Sequence, residues 1–184
     1  KKFILIFLWS YLVECSDFSL FTSTAQTIPV GVTPQAVAVS PDGNFLYVAN
    51  SGGNTVSVIK VSSNTVIKTI TGFAQPTSIT INHVKMVAYV TNALYGGPNT
   101  ISIIDINQAH RANYNTIVGT ITGFNAPSAM AITSDGLFGY VCNLGNPANL
   151  LQAGLTIQRV NLTEKMVVSA PVLVGLYPNA LVIS

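Results

Sequence analysis

Apolar and polar positions along this chain fall into short runs broken by turn residues, and the runs recur. Pro34-Gln35-Ala36-Val37-Ala38-Val39-Ser40, Pro76-Thr77-Ser78-Ile79-Thr80-Ile81-Asn82, Pro127-Ser128-Ala129-Met130-Ala131-Ile132-Thr133 and Pro178-Asn179-Ala180-Leu181-Val182-Ile183-Ser184 are four versions of one segment, starting 42, 51 and 51 residues apart. Downstream of the first three come Phe45 to Asn50, Val87 to Asn92 and Phe138 to Asn143. Next are Asn54 to Ile59, Asn99 to Ile104 and a weaker Leu155 to Val160; Thr69-Ile70-Thr71-Gly72-Phe73 and Thr120-Ile121-Thr122-Gly123-Phe124 then close two repeats alike.

Each repeat divides into four β-rich runs. In the first they are Ala36 to Ser40, Phe45 to Asn50, Thr55 to Val61 and Thr65 to Thr71, separated by Pro41-Asp42-Gly43, Ser51-Gly52-Gly53-Asn54 and Ser62-Ser63-Asn64. Gly and Asn accept positive φ and Pro presets the first corner of a turn. Apolar residues occupy both alternating faces of Phe45 to Ala49 and Val56 to Val61, which suits a sheet covered on both sides by its neighbours. Four short strands per unit of about 40 to 50 residues predict an all-β chain, a β-propeller of four-stranded antiparallel blades. The blades are expected at about 34–75, 76–126 and 127–177, with 178–184 the first strand of a following blade and Thr27 to Gly31 the last strand of a preceding one. Three blades are too few for a ring, which usually needs at least four. The chain is therefore read as a piece of a larger propeller, or as one whose copies associate edge to edge.

Tyr89-Val90-Thr91-Asn92, with Tyr47-Val48-Ala49-Asn50 and Tyr140-Val141-Cys142-Asn143 as variants, resembles the signature of the YVTN family of β-propeller repeats over roughly residues 28–184. Ser40-Pro41-Asp42-Gly43 and Thr133-Ser134-Asp135-Gly136 are similar to a turn of that family; Asn82-His83-Val84-Lys85 departs from it, and a looser turn is expected there. The resemblance implies Tyr packed between blades and Asn bonded to the backbone of the following turn. It further implies an exported, non-catalytic binding or surface-scaffold module of bacterial envelopes or archaeal surface layers. The alternative is a periplasmic propeller enzyme of lactonase-like or redox type, whose metal ligands or haem would sit at the central channel in blades outside this sequence. The innermost strands here offer Ala, Val, Ile, Ser and Thr.

Residues 1–25 are of another kind. Lys1 and Lys2 precede the apolar run Phe3 to Val13, and Ser23-Thr24-Ala25 supplies small residues, the elements of a signal peptide or membrane-anchor segment. At about 1.5 Å per residue the run reaches roughly half of a 30 Å hydrocarbon core. Leu12-Val13-Glu14-Cys15 resembles a lipobox, which makes Cys15 a lipidation candidate, with Glu14 where a small residue is wanted. The protein is expected to be periplasmic, at the cell surface or extracellular. Only 8% of the 184 residues are charged and the formal net charge is +2, which leaves no basic footprint for nucleic acid.

Candidate chemistry is sparse. His83 and His110 read as loop histidines without a carboxylate neighbour, and no metal, nucleophile-elbow or phosphate-loop pattern occurs. Asp42 and Asp135 are expected to cap their own turns, and Cys142 to be a buried free thiol. No catalytic, cofactor-binding or metal-binding residue is assigned, and no cofactor is expected. Two insertions, Asn107 to Asn115 and Leu144 to Gly154, read as recognition loops, and the first is expected to be dispensable for stability. His110, Arg111, Tyr114, Asn146 and Asn149 are the candidate contacts for a protein or other envelope partner.

Overall fold

Strand ends are set by residues that tolerate a left-handed backbone. Asn54, Asn64 and Gly43 have φ of 53°, 51° and 72° at the three hairpin turns of the first unit. The computed structural model describes residues 27–94, 97–145, 156–174 and 181. The first sheet is a meander of β1 (Pro34–Val39), β2 (Phe45–Asn50), β3 (Thr55–Lys60) and β4 (Thr65–Thr71). The second repeats it with β5 (Pro76–Asn82), β6 (Val87–Ala93), β7 (Asn99–Asp105) and β8 (Thr116–Ile121). The third has β9 (Pro127–Ile132), β10 (Phe138–Asn143), β11 (Thr156–Asn161), β12 (Met166–Val167) and β13 (Val172–Leu173). All neighbouring strands within each sheet pair antiparallel.

The fourth strand of the third sheet is broken rather than continuous. Val160 pairs with Val167 but Ile157 pairs with Leu173's neighbour Val172, so the outer chain carries extra residues between the two pairs. Pro171 lies in that interval and has no N–H for the ladder. The backbone N–H of Arg159 donates instead to Ser169 Oγ at 2.9 Å.

Three sheets packed side by side make two cores. Between the first and second sheets lie Tyr47, Val58, Ile70, Phe73, Ile81 and Val90; between the second and third lie Tyr89, Ile103, Ile121, Met130, Val141 and Val160. Alternation along β6 sends Ala88 and Val90 into the first core and Tyr89 into the second, which is why both faces had to be apolar. Tyr47 and Tyr89 are 0% and 2% exposed, whereas Tyr140, on the far face of the third sheet, is half-buried. This is the architecture of part of a β-propeller.

The asparagine closing each second strand works differently from expectation. Asn92 Nδ2 donates to Ser102 Oγ at 2.9 Å and Thr100 Oγ1 at 3.2 Å on the next strand, while its Oδ1 accepts the Ala74 N–H at 3.3 Å. Asn143 does the same toward Gln158 Oε1, Thr156 Oγ1 and the Asn125 N–H. The backbone it holds is the connection ahead of the blade's first strand, not the following turn. The residue after each asparagine completes the clasp: the N–H groups of Ser51, Ala93 and Leu144 donate to the carbonyls of Thr33, Gln75 and Ala126. Those three carbonyl residues, each just before a proline, share positive φ of 53°, 48° and 50°. A non-glycine there costs about 1 kcal/mol or more, which the backbone bond offsets in all three copies; in the first, Asn50 Nδ2 donates to Thr55 Oγ1 and Ser57 Oγ but its Oδ1 accepts no backbone N–H.

Two further expectations are corrected. Residues 27–31, expected as a strand, pair with no strand among the described residues; the 27–33 segment crosses the β2–β3 turn, bonded to it through Thr33 and Val32. The second unit's first turn is not loose. Asn82 is 1% exposed; its Oδ1 accepts the N–H groups of Val84 and Lys85 at 3.1 and 2.9 Å, and its Nδ2 donates to the Gly136 carbonyl at 2.9 Å. One amide thus replaces the Ser or Thr plus Asp of the other units and ties the turn to the next blade. Residues 178–184, apart from 181, lie outside the described residues.

Asn92→Ala removes the side-chain half of the clasp, leaving the Ala93-to-Gln75 backbone bond, and takes the partner from the Ala74 N–H and the Ser102 hydroxyl, so unfolding free energy should fall by about 2–3 kcal/mol. Tyr47→Phe should cost about 1–3 kcal/mol because Tyr47 Oη donates to buried Asn115 Oδ1 at 2.8 Å. Tyr140→Phe, at the half-buried position, should be close to neutral; denaturant midpoints of the three variants check the order.

Candidate functional site

In a meander the turns alternate between the two ends of the stack. The β1–β2, β5–β6 and β9–β10 turns stand at one end with the β3–β4, β7–β8 and β11–β12 turns; the β2–β3 turns and the connections between sheets stand at the other. Residues 107–115 join β7 to β8 at the first end; of the other insertion, 144 and 145 are among the described residues and leave β10 at the second. Cys15, Asn146 and Asn149 lie outside the described residues.

Asp105 organises the 107–115 loop, and sequence reading missed it. It closes β7, is 6% exposed, and its Oδ1 accepts the Asn107 N–H at 2.9 Å. Its Oδ2 lies 2.8 Å from His110 Nδ1. The histidine does have a carboxylate neighbour, contrary to expectation. The sequence signal was available: Asn161, which pairs with Phe138 as Asp105 pairs with Val87, caps its own turn at the N–H groups of Thr163 and Glu164.

The loop is also anchored to the first sheet. Gln108 Nε2 donates to Asp42 Oδ2 at 2.9 Å, Lys68 Nζ reaches the Tyr114 carbonyl at 3.4 Å, and the rings of Tyr114 and Phe45 meet edge-on at 6.3 Å. Asn115, 2% exposed, accepts from Tyr47. Burial first, then the neighbouring Tyr114, pushes the Tyr47 phenol far above its ordinary range, so it remains a donor. The insertion is thus a clasp from the second sheet onto the first, not a dispensable excursion. Lys85 Nζ donating to Thr163 Oγ1 at 2.8 Å makes the corresponding contact between the second and third sheets.

What the loop offers to solvent is His110, whose side chain is 58% exposed, and Arg111, which is exposed; Tyr114 is half-buried. The remaining His110 nitrogen faces the Asn107 amide at 3.5 Å. An imidazole oriented by a buried carboxylate beside a guanidinium can hydrogen-bond and pair with charge on a partner. Among the described residues no three His, Cys, Asp or Glu side chains gather.

A crevice of about 120 Å³ lies nearby, between the β5–β6 and β9–β10 turns, lined by His83, Val84, Ile132 and Ser134 among others. It is small beside ligand pockets of about 300–1,000 Å³. Its walls are fixed: a Cβ on Gly136, φ 69°, would meet Asn82 Oδ1 at 2.7 Å. Cys142 is a free thiol, 1% exposed, and burial raises its pKa.

The hydrogen bond from Ser40 Oγ, followed by those of Asn44, holds the Asp42 carboxyl below its ordinary 3.8; Thr133 and the Leu137 N–H do the same for Asp135. Both groups cap their own turns.

Fold and site together define a β-propeller. The chain is 27% identical over 124 residues to the seven-bladed β-propeller protein Rv1057 of Mycobacterium tuberculosis, covering 67% of this chain and 30% of that protein. It is 37% identical over 95 residues to the uncharacterized protein YwhL of Bacillus subtilis, covering 47% and 20%. The chain thus spans less than a third of the length of these relatives. Among solved structures, a Kuenenia stuttgartiensis hydrazine synthase chain superposes with a TM-score of 0.68 and 26% identity, over 79% of this chain and 39% of that one. A functionally unknown protein from Desulfotomaculum acetoxidans superposes with a TM-score of 0.61 at 18% identity, over 79% and 45%, a likeness of fold alone. No protein-family model matches the chain.

Tyr114→Ala strips a half-buried ring from the clasp and should cost about 1–3 kcal/mol, lowering the thermal midpoint by roughly 3–8 °C. Because the folded-state pKa of Asp42 and Asp135 is depressed, their contribution to stability is present above the unfolded value and is lost as pH falls below about 4. Denaturant midpoints measured from pH 7 to 3 should fall less for the Asp42→Asn, Asp135→Asn double variant than for the parent.

Proposed function

We propose that this chain is a YVTN-type repeat protein: an exported, non-catalytic β-propeller that binds an envelope protein through the end carrying residues 107–115. In this reading residues 1–25 are a signal or anchor segment, with Cys15 available for lipid, and the blades run at about 34–75, 76–126 and 127–177. The observation that carries it is the loop itself, clamped across two sheets at Asp42, Phe45 and Tyr47 while presenting His110 and Arg111. A rigidly held, exposed pair of recognition side chains loses little conformational freedom on binding. Asn146 and Asn149 are further candidate contacts for such a partner. The outer face of the first sheet, with Val37 61% and Val39 52% exposed, suits a further blade. That blade would come from the longer chain that the 30% coverage of the seven-bladed relative suggests, or from a second copy edge to edge.

The likeness to a hydrazine synthase chain favours a second reading, a periplasmic propeller enzyme of redox or lactonase-like type with its site in other blades. The full chain bearing His110→Ala, which unpairs Asp105, and Arg111→Ala should lose roughly 2–6 °C of thermal midpoint and, assayed well below it, retain envelope protein roughly tenfold less well than the parent. Equal retention by both would refute the loop as binding surface. Stoichiometric metal or haem together with turnover of a lactone or redox substrate by the longer protein would replace the binding reading by the enzymatic one.

A further inference from the structure

Charge is distributed unequally between the two ends of the stack. After residue 26 the chain has ten Lys, Arg, Asp and Glu, all among the described residues. Eight of them, and both histidines, stand at the end that carries Asp42, Lys85, Asp105 and Asp135; Lys68 and Arg159 lie within strands. The described residues of the connections at the opposite end, 27–33, 51–54, 72–75, 94, 97–98, 122–126 and 144–145, include no charged residue.

Both ends expose apolar side chains, Val61, Val84, Leu137 and Met166 at the charged one, so the difference lies in the charges around them. At the uncharged end Val32 is 66% exposed, Val172 62% and Leu173 79%. The last two belong there because they pair with Ile157 and Thr156, where β11 begins. Three amides at this end are engaged internally: Asn92 and Asn143 hold the blade connections, and Asn54 Oδ1 accepts the Gln75 N–H at 2.8 Å; the Asn50 and Asn99 carbonyl oxygens are already buried away from solvent. Little polar desolvation therefore opposes contact with an apolar medium, whereas the other end would have to strip water from eight charges.

The chain enters the fold on the same side. Residues 27–33 are bonded to the β2–β3 turn, so the segment bearing the apolar run Phe3 to Val13 joins the stack at the uncharged end.

We propose that this end is a bilayer-facing surface, with Val32, Val172 and Leu173 reaching the headgroup region. The charged end and the 107–115 loop then point away from the membrane, toward a partner. The inference rests on the reading of residues 1–25 as a segment that engages a membrane. A neutral surface of this kind binds by apolar burial and not by charge, so its attachment to zwitterionic lipid should be insensitive to salt.

The test uses the full chain with phosphatidylcholine vesicles carrying brominated acyl chains. Trp9, the one tryptophan, reports on the N-terminal segment in the parent. In a Trp9→Phe background, L173W and V32W place a reporter at the uncharged end and N113W places one at the charged end; circular dichroism verifies folding of each. Emission from L173W and V32W should be quenched roughly twofold, unchanged between about 0.1 and 1 M salt, with N113W unaffected. Trp9 quenched in the parent while both L173W and V32W stay unquenched would overturn the bilayer-facing surface alone, leaving this end to a protein partner. Absence of quenching at Trp9 and at the uncharged-end reporters would overturn the membrane segment and the surface together.

Discussion

A sheet that is apolar on both faces has no stable existence alone in water. That constraint governs this molecule. β6 alternates Ala88 and Val90 against Tyr89, so each sheet can bury its residues only between two others, and the cores form between sheets rather than within any of them. The 8% of charged residues follows from the same fact: strand surface is mostly contact surface, and charge is left to the turns.

Stacking alone would leave the sheets free to slide, and hydrogen bonds at both ends prevent it. At one end the asparagine clasp fixes where each connection enters the next blade. At the other, Gln108 to Asp42, Lys85 to Thr163 and Asn82 to the Gly136 carbonyl tie successive blades through side chains. The contacts are alike in position and unlike in chemistry, so the geometry is repeated while the residues differ. The irregular connections, with positive φ before each proline, are part of the same device, since they bring the backbone within reach of the asparagine.

Strand positions, blade count and the burial of Tyr47 and Tyr89 were legible in the sequence because periodicity of two and recurring turn residues are local signals. Asp105 was not, because its importance comes from His110, brought back by a turn whose geometry no composition rule specifies. The 107–115 insertion looked free for the same reason: its partners Asp42, Tyr47 and Lys68 are between 46 and 68 residues away from the loop residue each one bonds. The Asn82 turn misled in the opposite sense. Loss of the Asp-Gly pair suggested slackness, yet a single amide satisfies both N–H groups and reaches the next blade. The broken outer strand at Pro171 was visible as a proline but not as a bulge.

Cys142 carries a consequence of its own. Its thiol sits in the middle strand pair of the third sheet, 1% exposed, with burial disfavouring the thiolate that electrophiles need. An alkylating reagent can reach it only when that sheet parts from its surroundings. With Cys15, the other cysteine, replaced by serine, the rate at which Cys142 is modified is a clock for the opening of a single blade, and ligands that bridge neighbouring sheets would slow it.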